Sequence, residues 1–135
     1  MRRFILLVLV VVFAFACKQK STINKAVVDK SEMAMAMQSM VEKLKLSGTA
    51  FENGDTLHLE FDDFTDFHFT DSTFYKPGFK SMAAFLLEQA HTYDSIPSIN
   101  HLDNVVNSCK SCHMVMCPGP LELINTLTFP TTTDD

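Results

Sequence analysis

The sequence predicts an all-α fold, a small helical bundle. Three observations point there. Thr22 to Ser47 contains neither Gly nor Pro, and its apolar residues Ile23, Val27, Met33, Met37, Met40, Val41 and Leu44 recur near helical spacing. Phe79, Met82, Ala83, Leu86, Leu87, Ala90 and Tyr93 form a second stripe. Ile99, Leu102, Val106, Cys109, His113 and Met116 form a third, in steps of three and four.

The start of the chain is expected to lie outside the fold. Met1-Arg2-Arg3 is basic, and Phe4 to Phe15 is an unbroken apolar run. At about 12 residues it suits a signal-peptide core and falls short of the roughly 20 needed to span a bilayer. Ala14-Phe15-Ala16-Cys17 follows, and small residues before a cysteine at this place resemble the lipobox of bacterial lipoproteins. That resemblance implies lipidation of Cys17, with residues 1–16 removed and 17–24 serving as anchor and linker. Phe15 departs from the usual small or polar residue. Simple cleavage after Ala16, or an uncleaved anchor, is the alternative, and every version sends the chain out of the cytoplasm.

What remains is enough for one domain, expected over residues 25–128. The first helix is expected from about Lys25 to Leu46, with Gly48 as a left-handed C-terminal cap. Thr49 to Lys76 has a turn signal at Asn53-Gly54-Asp55 and then alternates at Leu57, Leu59 and Phe61. A lone strand there has no partner, so a short helix or an irregular wrap over the bundle competes with it. Lys76-Pro77-Gly78 opens the next helix, with Pro suited to its first turn, and the helix runs to about Thr92. Ser98 is a candidate N-cap for the last long helix, which Pro118-Gly119-Pro120 ends. Leu121 to Leu127 has room for one short turn, and 129–135 reads as a tail.

Charge narrows the function classes. The eleven Lys plus Arg, two of them Arg2 and Arg3, face sixteen Asp plus Glu. Such an acidic chain disfavours nucleic acid. Glu52, Asp55, Glu60, Asp62, Asp63, Asp66 and Asp71 crowd one segment without calcium-loop spacing, so a solvated acidic face is expected.

Cys109-Lys110-Ser111-Cys112-His113 is the most specific stretch. C-x-x-C-H is the attachment signature of a c-type haem. The two thiols form thioethers with the porphyrin vinyl groups, and the adjacent imidazole ligates the iron from the proximal side. A bare C-x-x-C would also suit a redox dithiol or a zinc knuckle. His113 and the export signal separate these readings. On the third stripe, Cys109 and His113 share the core-facing side of their helix with Cys112 beside them, so the haem is expected inside the bundle. Cys117, one turn after His113, is left over and reads as a buried apolar thiol.

A haem motif on the last long helix of a small bundle resembles the cytochrome c-prime and cytochrome c-556 family. Phe79 to Leu86 looks like that family's third helix, Asn104 to His113 like its fourth, and Ser31 to Leu44 like its first. The resemblance implies a four-helix bundle, and it implies Met33 as the residue facing the distal side of the iron, with Met37 one turn along. Two features depart from the family. The second-helix region is aromatic and acidic, so that helix is expected to be short or replaced. Met114-Val115-Met116-Cys117-Pro118 stands where a basic residue is usual. Of the other histidines, His58, His68, His91 and His101, the last two are expected at the surface or in caps, and His68, among Phe residues, is a lesser candidate for the distal side.

The expectations for function are therefore ranked. First is a membrane-tethered cytochrome carrying electrons outside the cytoplasm, docking a redox partner with a basic face, with a homodimer left open. Second is a five-coordinate haem protein that binds NO or CO. Third is a haem-free dithiol oxidoreductase. No nucleophile, base and orienting group fall together, so an enzyme has no positive support.

Overall fold

The computed structural model describes residues 30–129. The lipobox with Cys17, the start of the expected first helix at 25–29 and the tail beyond Phe129 lie outside the described residues. Three long helices and one short one carry the fold, with no strand among the described residues. They are α1 (Glu32–Glu52), α2 (Phe79–Ser95), α3 (Ile99–Met116) and α4 (Leu121–Ile124), with a 3₁₀ turn at Ser72–Phe74. No helix among the described residues is long and apolar enough to cross a membrane.

α1 begins where Ser31 caps it, which corrects the expected start near Lys25: Lys30 and Ser31 are outside the helix, and Ser31 is extended at ψ 159°. The Ser31 hydroxyl accepts from Ala34 N–H at 3.1 Å, and Glu32 places a negative charge in the first turn. The expected stop at Gly48 is overturned: the helix runs through Gly48 to Glu52, and the turn at Asn53-Gly54 ends it, with Gly54 at φ 81°. Gly48 is a packing residue. A Cβ added there would overlap the ring of Phe129, which folds back onto α1, so Phe129 belongs to the edge of the core and not to the expected tail. A glycine in a helix thus marks close approach here, not termination.

The chain from 53 to 78 is the irregular wrap, neither strand nor second long helix. Its apolar residues still turn inward, with Leu59 and Phe64 fully buried and Phe61, Phe67 and Phe69 packed against the core. Lacking a ladder, its backbone takes partners from the helices. Leu59 N–H and Glu60 N–H donate to the Asp94 carboxylate at 2.6 and 3.0 Å. Ser47 Oγ donates to Leu57 O at 3.0 Å, Lys43 Nζ donates to Glu60 O at 2.6 Å, and Met33 N–H donates to His68 O at 3.1 Å. Every polar backbone group taken from water needs such a partner.

Lys76-Pro77-Gly78-Phe79 forms a tight turn before α2, not its first helical turn. Phe79 N–H donates to Lys76 O at 3.1 Å, and Gly78 has φ 92° and ψ −8°. That is the third position of a type II turn with Pro second, a conformation that needs glycine. α2 then packs closely along α3, the tightest helix pair among the described residues. Ser98 caps α3 as expected, accepting from His101 N–H at 3.2 Å. α1 lies against α3 with far fewer close backbone approaches, so long side chains such as Met33, Met40 and Leu44 fill that side of the core. α4 and Leu127 close the end, and Tyr93, Leu102 and Val105 lie at the fully buried centre.

Candidate functional site

The last two turns of α3 carry the candidate chemistry. Three and four residues apart on a helix is one face, and Cys109, Cys112 and His113 indeed turn inward together, at 9, 8 and 7% exposure. Cys109 and Cys112 belong to the main core cluster with Met33, Met40, Leu102, Val106 and Met116. Both are free thiols. Burial, with the neighbouring Cys112 adding repulsion, pushes Cys109 up to about 12, and burial with nearby Cys117 pushes Cys112 up to about 11. Neither is a thiolate at neutral pH.

His113 is held from one side. Its Nδ1 lies 3.1 Å from Cys117 O and 3.4 Å from Cys117 Sγ. This arrangement follows from sequence. Pro118 disfavours the helical region for the residue before it, and Cys117 accordingly lies extended at φ −151°, ψ 90°. Its N–H still caps α3 on His113 O, at 3.2 Å, while its carbonyl is freed from the helical ladder and meets the imidazole. A proton on Nδ1, donated to that carbonyl, leaves Nε2 as the lone-pair nitrogen. Cys117 is half-buried, and burial raises its thiol, partly offset by the charge of Lys76.

The other sequence candidates separate clearly. Met33 is buried at the N-terminus of α1, in the same cluster as Cys109 and Cys112, while Met37 is only partly buried. Two links place Met33 and His113 towards one end of the bundle. Met33 N–H bonds His68 O, and the adjacent Phe69 ring sits 4.9 Å from Phe79 at the start of α2. From the preceding turn, Lys76 Nζ donates to Val115 O at 2.7 Å, two residues from His113. His91 is exposed and His101 Nδ1 meets Ile96 O at 2.7 Å, so the surface or capping expectation holds for both. His58 is also exposed, and His68, the lesser distal candidate, faces outward and not into the core. His68 pairs instead with Glu32, Nδ1 to Oε2 at 2.8 Å, and its hydrogen bonds hold the Glu32 carboxyl below its ordinary range.

The approach of Cys117 to His113 was not anticipated from the C-x-x-C-H motif. Its signal in the sequence is a Pro directly after a residue four positions from the histidine. Among the described residues no three His, Cys, Asp or Glu side chains gather to hold a bare metal ion.

A porphyrin supplies four of the iron's ligands itself and asks the protein for thiols, one imidazole and apolar walls. The residues present fit that requirement by donor set, by the hydrogen bond on Nδ1 and by the apolar core cluster to which both thiols belong. No family model, no curated protein and no solved structure matches this chain.

Proposed function

We propose that this protein is a c-type cytochrome of the c-prime and c-556 kind, exported and tethered to a membrane through lipid on Cys17, whose main role is electron transfer. One observation carries the reading: the two thiols and the imidazole of a C-x-x-C-H run share the buried face of a single helix, with His113 Nδ1 already engaged. Cys109 and Cys112 would hold the haem through thioethers, and His113 would present Nε2 to its iron. The haem, when bound, supplies a one-electron couple.

The chain's own residues do the rest. Cys117 O fixes the tautomer of His113. The Met, Leu and Val side chains of α1 and α3 exclude water from the site. α1 makes few close backbone approaches to α3, so this is the side on which a flat group asks for least backbone movement. Met33, buried on that side, is the candidate sixth ligand, and a thioether there would raise the potential of the iron. The exposed carboxylates Asp62, Asp63, Asp66 and Asp71 would favour a partner with a basic face.

The state of the thiols argues against dithiol exchange. Such chemistry needs an accessible sulfur with a lowered pKa, and Cys109 and Cys112 are buried with raised ones.

Haem staining after denaturing electrophoresis tests the reading in cells able to mature c-type cytochromes. A stained band that disappears in Cys109→Ser/Cys112→Ser is expected, and a colourless wild-type band refutes it. In the holoprotein, Met33→Ala should convert a six-coordinate ferrous spectrum to a five-coordinate one that takes up CO. If the wild type already binds CO or NO at once, gas binding replaces electron transfer as the role. Cys17→Ser should release the protein from the membrane fraction, and retention would indicate an uncleaved anchor.

A further inference from the structure

We infer that the Cys117 thiol is a positioning residue for the iron-binding histidine, acting as a second acceptor on His113 Nδ1. The inference rests on the cytochrome reading above and goes beyond it to a residue outside the C-x-x-C-H motif.

Three facts combine. The Cys117 side chain and its own carbonyl reach the same nitrogen, at 3.4 and 3.1 Å. The first is ordinary for sulfur, whose larger radius lengthens its hydrogen bonds. The extended backbone of Cys117, with Pro118 behind it, sets the direction of both groups. The thiol is half-buried at the edge of the core, so the interaction is only partly open to competition from water.

The consequence is electronic. With Nε2 given to iron, the neutral imidazole carries its proton on Nδ1, and that N–H is shared between oxygen and sulfur. Hydrogen bonds from the far nitrogen orient a ligating histidine and increase its basicity. A more basic imidazole favours the ferric state, so the thiol acceptor lowers the reduction potential. A Met33 thioether, were it a ligand, would act in the other direction.

The test uses haem-loaded wild type with Cys117→Val and Cys117→Ser. Valine keeps the volume and removes the acceptor, while serine restores an acceptor. Potentiometric titration should place Cys117→Val above wild type, with Cys117→Ser returning towards it. The Nδ1 proton resonance should shift to high field in Cys117→Val alone. Equal potentials in Cys117→Val and wild type, with haem covalently attached in both, overturn the inference and leave the cytochrome reading standing. A Cys117→Ser shift as large as that of Cys117→Val also overturns it. Should Cys117→Val fail to fold, the wild type decides: a slowly exchanging Nδ1 proton is expected, and fast exchange with solvent overturns the inference. A colourless wild-type protein sinks both readings together.

Discussion

The α2–α3 hairpin and the wrap from 53 to 78 both bury large apolar side chains, but they satisfy their backbones differently. In the hairpin each helix closes its own hydrogen bonds, so the apolar stripes are free to do nothing but pack. The wrap has no internal ladder, and its core-facing residues depend on acceptors and donors lent by α1 and α2: Asp94, Ser47, Lys43 and the amide of Met33. The difference shows why the candidate site sits on α3. A helix holds the positions of a thiol, a thiol and an imidazole to one face without outside help. A wrap would hold them only as firmly as its borrowed bonds.

The largest expected effect tests the hairpin. Leu102 is fully buried between the helices, and Leu102→Ala should cost about 2–5 kcal/mol in denaturant unfolding. A loss near that of a surface site would mean that the hairpin core is not what holds the molecule.

Asp94→Ala probes the loan. It leaves the Leu59 and Glu60 amides without their acceptor, at roughly 1–3 kcal/mol for the buried group. Amide exchange should accelerate at Leu59 and Glu60 and stay slow in α3. Equal acceleration in α3 would break the comparison, because wrap and hairpin would then open as one unit.

The thiols offer a test through pH. The folded state keeps Cys109 and Cys112 protonated to about 12 and 11, whereas unfolded cysteines ionise near 9. Between those values the folded chain holds more protons than the unfolded one, so stability is full below about pH 9 and falls as pH rises above it. Thermal melts of haem-free, reduced protein should show this alkaline loss. Attachment through both sulfurs removes the ionisable groups, so the haem-loaded protein should lack this contribution.

Ser98→Ala removes the cap of α3, at about 1 kcal/mol in thermal melts. A loss well above 2 kcal/mol would show that α3 depends on its cap more than a self-sufficient helix should. Gly48→Ala is expected to change least. Alanine gains about 1 kcal/mol of helix propensity, while displacing the Phe129 ring gives up part of its packing. The net change should stay within about 1 kcal/mol, and nuclear Overhauser effects between α1 and the Phe129 ring should weaken as the ring moves away. Undiminished effects would mean that α1 shifts instead.

Local pattern made most of the helical frame legible. The stripes at 79–93 and 99–116 located α2 and α3, Ser98 located a cap, and Pro118-Gly119-Pro120 located an end. Gly48 and Pro77 misled, because each residue type has two uses. Glycine serves both as a left-handed cap and as a place of close approach, and only the ring of Phe129, some eighty residues on, selects the second. Proline serves both in a first helical turn and in a type II turn, and Gly78 with φ 92° selects the turn.

At the site, sequence alone determined that two thiols and an imidazole share one face of a helix, because i, i+3 and i+4 spacing leaves no other outcome once the segment is helical. The apolar stripe marked this face as core-facing, and tertiary structure decided how deeply each sulfur is buried, which raises both thiols by desolvation. It decided that Met33 joins the same cluster while Met37 stays at its edge. It decided too that the carbonyl and thiol of Cys117 close on Nδ1. These are matters of distance between side chains and of water excluded, and they depend on how α1, the wrap and α2 pack around α3, which no local pattern encodes.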